Sequence, residues 1–350
     1  MGSGDFSLND KILKKEEMDT IILNLSEIYD VFGPIKRKFD YSFKKLEGEK
    51  PNLHYPTTTI SPKKFFHHKD TLISYQLGGD FIPHELELEK PLLILGVHPC
   101  DLNAILKLDQ FFSKDYQDPF YLERRKNSVI IALNCIETRD NCFCLSTSTG
   151  PSAEEGFDLL LTDLGNRYLL EVGSPKGEEI MARYDLKDAD LYDIEEKENR
   201  IEKVKASFKK KITVDGLAEH ALKNTDHEVW NLIGEKGGLA GCFSCLSCGS
   251  CSLVCPTCYC FDVYESLSLS LKKGSKIREL DSCQLLGYAE VALGGNFRKD
   301  RTDRIRHWML CKFGAASGGL LSNCVGCGRC VDACPVHIDI TEVAKTLWGD

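Results

Sequence analysis

Apolar positions in the first part of the chain follow two patterns, helical spacing and short continuous runs. Over residues 14–31 the apolar side chains recur every three or four positions, which predicts a helix that Gly33 and Pro34 bring to an end. The continuous runs at Leu92–Val97 and Val129–Leu133 have the length of buried strands. Together these patterns predict a mixed α/β fold.

Further segments extend this α/β prediction. Residues 98–101, His-Pro-Cys-Asp, follow the first apolar run and read as a turn that enters a helix. The segments 157–163 and 167–172 are joined by Leu-Gly-Asn and predict a β-hairpin. Residues 188–211 are dense in acidic residues and lysine, which predicts a solvated helical connector.

A glycine-rich stretch at residues 234–241, GEKGGLAG, marks the predicted domain boundary. It contains neither G-x-G-x-x-G nor G-x-x-x-x-G-K-[ST], which argues against a phosphate-binding loop. We therefore predict an α/β domain over residues 1–235 and a mainly helical, cysteine-rich domain over residues 236–350.

Composition narrows the class of protein. Hydrophobic residues make up 42% and charged residues 28% of the 350 positions, as in ordinary globular proteins. The net charge of −9 argues against a nucleic-acid partner. No apolar stretch approaches the roughly 18 residues of a membrane span, and the N-terminus lacks the apolar segment of a secretory signal. These features predict a cytoplasmic protein without a membrane span.

Cysteine usage changes this picture, because the chain has 17 cysteines. Thirteen lie between Cys242 and Cys334, and the other four lie between Cys100 and Cys144. Cytosolic thiols stay reduced, so a disulfide framework is not expected. Clustered reduced thiols indicate metal ligands.

A duplicated motif is the most specific signal in the sequence. The pattern C-x2-C-x2-C-x3-C-P occurs at residues 245–256 and again at residues 324–335. This spacing is typical of proteins that bind two [4Fe–4S] clusters, in which the fourth cysteine of each run ligates the other cluster. A zinc ribbon also uses C-x2-C pairs, but two full runs that each end in Cys-Pro have the wrong count and spacing for it.

The motif predicts two ligand sets in a ferredoxin-like arrangement. Cluster one is predicted to bind Cys245, Cys248, Cys251 and Cys334. Cluster two is predicted to bind Cys324, Cys327, Cys330 and Cys255.

Two more groups of four thiols suffice for a third and a fourth cluster. One group lies in the long insert of residues 256–323 and comprises Cys258, Cys260, Cys283 and Cys311. The other lies in the α/β domain and comprises Cys100, Cys135, Cys142 and Cys144. The alternative is that these are buried free thiols, since cysteine is among the most buried residue types. The basic residues of segment 296–312 form either a solvated helix face or a set of cations beside the negatively charged clusters.

Beyond the motif, the chain resembles a known family from about residue 56 to its C-terminus. The resemblance rests on the following segments in this order: PTTTISPKKFF at 56–66, GVHPCDLNAI at 96–105, YLERRKN at 121–127, NCFCLSTSTGP at 141–151, GFDLLLTDLG at 156–165, CPTCYCFDV at 255–263, DSCQ at 281–284, GGNFR at 294–298 and MLCKF at 309–313. They are similar to the β subunits of cytoplasmic sulfhydrogenases and to the corresponding iron–sulfur subunits of anaerobic sulfite reductases.

The resemblance implies a non-catalytic subunit. In such proteins the subunit relays electrons between a partner that binds FAD and NAD(P) and a second partner that carries hydrogen, sulfur or sulfite chemistry. The family's additional cysteines match both extra groups of this chain, which favours a third cluster on the insert group, whereas Cys242 has no counterpart and is predicted to be a spare thiol. The alternative is a stand-alone flavin- or substrate-binding iron–sulfur oxidoreductase, although no dinucleotide fingerprint supports it.

Overall fold

The computed structural model describes residues 10–314 and 323–349. Its largest sheet has eight strands, which are β1 (Lys11–Lys14), β2 (Asp30–Lys36), β3 (Tyr41–Lys45), β6 (Leu92–Val97), β7 (Ser128–Leu133), β8 (Leu159–Asp163), β9 (Arg167–Val172) and β10 (Lys187–Asp188). They lie in the order β10-β1-β9-β8-β7-β6-β2-β3. A second sheet comprises β4 (Asp70–Gln76), β5 (Phe81–Pro83), β11 (Phe261–Leu267) and β12 (Lys273–Leu280), in the order β11-β12-β4-β5. A small pair, β13 (Glu290–Val291) and β14 (Gly295–Asn296), completes the described strands.

Helices flank the large sheet and form most of the C-terminal core. The described α-helices are α1 (Met18–Ile28), α2 (Pro99–Ser113), α3 (Pro119–Lys126), α4 (Pro175–Met181), α5 (Leu191–Ala206), α6 (Leu217–Lys223), α7 (Glu228–Asn231), α8 (Ser250–Leu253), α9 (Arg301–Phe313), α10 (Arg329–Asp332) and α11 (Ile340–Trp348). None of the helices in the described ranges is long and apolar enough to cross a membrane.

The centre of the large sheet is parallel and buried. Strands β2, β6, β7 and β8 run parallel to one another. Every residue of β7 and β8 is buried, as expected for strands that are covered on both faces. The predicted strands at Leu92–Val97 and Val129–Leu133, the helix entry after residue 98 and the hairpin of β8 and β9 are confirmed. The large sheet thus provides the predicted α/β core.

The predicted helix over residues 14–31 is shorter in the structure. The helix α1 ends at Ile28, and Gly33 and Pro34 lie within β2 instead of ending a helix. Val31 is buried in β2, where it pairs with Leu93 of β6. Pairing with a central strand overrode the helical spacing at this end of the segment.

The insert contributes a β-hairpin that joins the two parts of the chain. Strand β12 pairs with β4, which belongs to the N-terminal half of the sequence. A buried carboxylate, Asp70, bridges Arg124 on α3 and Arg278 on β12. The C-terminal region is therefore only in part helical, because it also carries this hairpin.

The C-terminal core draws on residues that precede the glycine-rich stretch. Val229, Trp230 and Ile233 are buried together with Trp308 and Met309 of α9. Helices α6 and α7 thus pack on α9, with which they share this core. That residues 1–235 fold as an independent domain stays a prediction.

Candidate metal centre

The four cysteines predicted for cluster one line a single cavity. They come from the loop before α8, from α8 itself and from the segment after α10, and they are Cys245, Cys248, Cys251 and Cys334. The cavity has about 450 Å³ of empty space, part of it open to solvent. Apolar side chains, among them Ile305, Trp308 and Val336, form the rest of its wall.

The four cysteines predicted for cluster two line a second cavity. They are Cys255, Cys324, Cys327 and Cys330. This cavity has an empty volume of about 300 Å³. Trp308, Cys330 and Ile340 line both cavities, so the two are neighbours. The structure thus brings together each predicted set, including the exchanged fourth cysteine.

The two cysteine runs share one backbone geometry. Ser247 and Gly326 occupy the same position in the motif and have φ angles of 51° and 60°. The amide of each donates to the sulfur of the cysteine two residues earlier, Cys245 or Cys324, at 3.3 Å in both cases. Amides aimed at cysteine sulfur are the contacts that stabilise a thiolate bound to iron.

The chemistry of the cavities fits cubane clusters. No three described His, Cys, Asp or Glu side chains converge closely enough to hold one metal ion. A [4Fe–4S] cluster binds each of its four cysteines to a separate iron, so its ligands stand further apart than those of a single zinc ion. Thiols spread around the wall of each cavity, with no histidine or carboxylate among the lining residues, match the wider spacing of cluster ligands.

Because these thiols are buried, nearby positive charges have a strong effect on their pKa values. Burial raises the pKa of Cys251 and raises that of Cys324 to about 12. Only the deprotonated sulfur binds iron, so a nearby positive charge favours the ligand form. Burial also penalises the charge of Lys312, but the neighbouring sulfurs of Cys255 and Cys258 outweigh this effect and raise its pKa.

The predicted basic run places one buried cation next to each cavity. Arg304 and Lys312 on α9 are 6% and 2% exposed. The Arg304 guanidinium donates to Ser247 Oγ at 3.2 Å, and the Lys312 ammonium donates to Thr257 Oγ1 at 2.9 Å. At these two positions the interpretation as a solvated face is wrong, because both cations are buried beside the cysteine-lined cavities; that they act on clusters stays a prediction.

A second buried lysine contacts the backbone beside cluster two and was missed from the sequence. Lys63 donates to the carbonyl oxygens of Cys255 and Cys258 at 2.8 and 3.1 Å. Lysine is rarely buried, so composition and periodicity give no reason to single it out. The signal that could have found Lys63 is its place in the PTTTISPKKFF segment, which carried the family resemblance.

The structure brings the four insert cysteines together only in part. Cys260 and Cys283 are close neighbours, and the Cys283 thiol lowers the pKa of Cys260. Cys258 instead neighbours Cys255, a predicted ligand of cluster two, which raises the pKa of Cys258. Cys311 lies beside Tyr259. Cys283 and Cys311 thus both neighbour the 255–260 segment, to which Cys258 and Cys260 belong.

The N-terminal cysteines lie where the parallel strands end. Cys100 follows β6 and Cys135 follows β7, at the carboxyl edge where α/β sheets commonly bind ligands. Cys144 is the centre of the group, since Cys100 and Cys142 pack in its cluster, while burial and the neighbouring Cys144 raise the pKa of Cys135. The structure therefore gathers the four predicted thiols.

This N-terminal group contacts the loop of cluster two. The Phe143 amide donates to the Gly326 carbonyl at 2.8 Å. A Cβ atom on Gly326 would lie 2.5 Å from the Cys144 amide nitrogen, so glycine permits backbone-to-backbone contact here. Burial raises the pKa of Cys144, and Cys327 of cluster two contributes to the shift.

An ion pair also links the cluster-two loop to the α/β domain. Arg329, at the start of α10, pairs with Asp101 of α2 through bonds of 2.6 and 2.7 Å. The Arg329 Nε also donates to the Thr58 carbonyl at 2.7 Å. Both charged side chains are buried, so each satisfies the other out of contact with water.

Cys242, predicted to be a spare thiol, is buried beside cluster one. It belongs to the C-terminal core, and burial raises its pKa. Cys334 is a neighbour that contributes to this shift. Cys242 does not line either cavity.

Two thiol-lined, adjacent cavities define an iron–sulfur protein of the dicluster class. Residues 244–338 match the family described as 4Fe-4S dicluster domain. The chain is 34% identical over 340 residues to Sulfhydrogenase 2 subunit beta of Pyrococcus furiosus, which covers 95% of this chain and 96% of that protein. The chain therefore belongs to the sulfhydrogenase beta subunit family, as the resemblance indicated. No solved structure matches it.

Proposed function

We propose that the chain relays electrons within a multi-subunit oxidoreductase. When bound, each [4Fe–4S] cluster takes up and releases one electron at a time. The observation that carries the proposal is that the two cysteine sets line neighbouring cavities with Trp308, Cys330 and Ile340 in common. Centres separated by so few side chains suit the passage of electrons through the protein. We assign no catalytic residue.

The residues around the cavities have two tasks in this proposal. The cysteine thiolates hold the clusters, while Lys312 and Arg304 offset negative charge in a dry interior. Apolar side chains, including Ile305 and Val336, form part of the wall around cluster one. These features set how readily an electron is accepted, which is the main influence a protein has on such a centre.

The proposed partners follow from the family. One partner binds FAD and NAD(P), and the other carries hydrogenase, sulfur-reductase or sulfite-reductase chemistry, in a cytoplasmic complex. The relative's name, Sulfhydrogenase 2 subunit beta, supports an assembly of this type. This chain would supply the connection between the two partners.

Two further clusters form part of the proposal. The N-terminal group supports one, because Cys100, Cys135 and Cys142 surround Cys144 next to the cluster-two loop. The insert group supports another through the Cys260–Cys283 contact. Cys258 and Cys311 would have to turn toward that pair. A fully loaded chain would then conduct electrons across both parts of the fold.

The test is to purify the chain without oxygen and to measure iron and acid-labile sulfide per polypeptide. About eight irons correspond to the two duplicated runs, and about twelve or sixteen to one or two additional clusters, at four irons each. Electron paramagnetic resonance of the dithionite-reduced protein checks that the iron is in reducible clusters. Zinc in place of iron would overturn the proposal.

One observation bears on the alternative of an oxidoreductase with its own substrate. A crevice at the carboxyl edge of β6, β7 and β8 is lined by Tyr55, His98 and Asn134, among others, and has about 280 Å³ of empty space. Only about 10 Å³ of this space is available to the centre of a water-sized molecule, about enough for one water, so the crevice is too small for a flavin dinucleotide. Oxidation of NAD(P)H by the purified chain with a dye acceptor would support this alternative.

A further inference from the structure

The two cluster sites differ in how far their ligands are exposed to solvent. Among the predicted ligands of cluster one, Cys248 is exposed to solvent, whereas the equivalent ligand of cluster two, Cys327, is buried. The N-terminal cysteine loop covers the cluster-two loop through the Phe143–Gly326 hydrogen bond. Cluster one is thus the site that an outside protein can approach most closely.

Exposed apolar side chains lie on the Cys248 segment and on the segment that reaches Gly249 beside it. Phe243 is 70% exposed, Leu246 55%, Leu285 41% and Leu286 49%. We call these four side chains the Leu246 surface. They come from two separate segments that meet at Gly249, where a Cβ atom would lie 3.6 Å from Leu285 Cδ2. Several large apolar groups exposed on adjoining segments are typical of a protein interface, unlike single exposed residues.

A cationic edge adjoins this surface. Arg301 is exposed at the start of α9, and its guanidinium donates to the Cys245 carbonyl at 3.3 Å. Lys299 is also exposed two residues earlier. An apolar centre with a positive rim matches a partner whose own apolar patch is bordered by carboxylates.

We propose that the Leu246 surface is the docking site for a redox subunit, so that electrons enter or leave the chain through cluster one. The inference rests on the proposed relay function, because an apolar patch over an exposed cluster ligand matters only if electrons pass there. The occupant is a protein that carries a flavin or metal centre close beneath an apolar patch with an acidic rim. One electron crosses per event, so that one centre is oxidised as the other is reduced.

The experiment uses the tagged chain purified without oxygen from its own organism, so that native partners stay bound. The test variant carries Phe243→Glu and Leu286→Glu, which introduce two carboxylates into the apolar surface at positions that do not line the cluster-one cavity. We expect unchanged iron per chain and a loss of about tenfold or more of a co-purifying subunit that contains flavin or metal. Subunit stoichiometry, flavin absorbance and metal analysis provide the measurements.

Leu23→Glu is the matched control. Leu23 is 68% exposed on α1, in the α/β domain and away from the cysteine runs, so this variant should keep the redox subunit. Lys299→Glu is a milder second test, which should weaken association several-fold at low salt and much less at high salt. An iron-loaded double variant that keeps its redox subunit would overturn this inference alone. A wild-type chain without iron would overturn the relay function and this inference together.

Discussion

The two cysteine runs have equivalent residues in different surroundings. Leu246, between the first two cysteines of the first run, is 55% exposed, whereas the equivalent Val325 of the second run is 2% exposed. The amide-to-sulfur hydrogen bond at this turn measures 3.3 Å in both runs. The local loop is therefore the same, although one run faces outward and the other lies against the α/β domain.

A few substitutions between the runs account for this difference. Where the first run has Ser247, whose hydroxyl accepts from Arg304, the second has Gly326, which allows the Cys144 backbone to approach. Where the first run has Ser250, the second has Arg329, which is buried against Asp101. The comparison teaches that the cysteines specify the cluster loop, while the residues between them specify what the loop contacts.

The largest expected effect comes from removing a cluster ligand in each run. Cys327→Ser should lower the iron content by about four atoms per chain and leave the α/β domain folded. Cys248→Ser should remove a similar amount of iron from the exposed site. Iron analysis and circular dichroism of each purified variant provide the measurements.

The two ligand variants also test the predicted domain boundary. If Cys327→Ser unfolds the α/β domain as well, residues 1–235 do not fold independently and the boundary near 235 is wrong. A Cys327→Ser chain that keeps all its iron would contradict the ligand assignment itself.

Loss of the buried ion pair should be the next largest effect. Arg329→Ala leaves the Asp101 carboxylate buried without its partner, so the free energy of unfolding should fall by about 3–5 kcal/mol. The matched control is Ser250→Ala in the first run, which should change the free energy of unfolding by less than about 0.5 kcal/mol. Urea denaturation without oxygen measures both. Equal destabilisation of the two variants would mean that Arg329 does not hold the α/β domain against cluster two.

A pair of glycine substitutions separates backbone strain from close contact. Gly249 and Gly328 have φ angles of 78° and 75°, so alanine at either position costs about 1–2 kcal/mol from the left-handed conformation. A Cβ on Gly328 would lie 2.3 Å from the Asn141 carbonyl oxygen, whereas one on Gly249 would lie 3.0 Å from the Ser282 hydroxyl oxygen. Gly328→Ala should therefore cost about 1–3 kcal/mol more than Gly249→Ala. The same denaturation series checks this, and equal costs would show that the contact with Asn141 relaxes freely.

The smallest effect concerns the charge near cluster two. Lys312→Met keeps the length of the side chain but removes its positive charge, so the reduced form of cluster two should become less favourable and its reduction potential should fall. Arg306→Met is the control on the same helix, since Arg306 is only half-buried and pairs with Asp303. A redox titration followed by electron paramagnetic resonance measures the potential. A larger shift in Arg306→Met than in Lys312→Met would contradict the role of Lys312.

Much of the site follows from the sequence because it is local. The spacing of three cysteines in each run, with glycine or serine between them, is sufficient to predict the loop, and the exchanged fourth cysteine follows from the duplicated pattern. The central strands were also predictable, since Leu92–Val97 and Val129–Leu133 are continuous apolar runs. The insert hairpin was not, because most residues of β11 are exposed and its sequence carries no buried face.

The sequence alone determined the cysteine sets, the α/β core and the family of this chain. Only the tertiary structure decided that β12 pairs with β4, that Lys63 and Lys312 are buried beside cluster two, and that the two runs differ in exposure. The physical reason is the distance along the chain over which each effect acts. Ligand spacing and strand pattern act over a few residues, whereas the burial of a charge depends on segments far apart in the chain, such as Arg329 and Asp101.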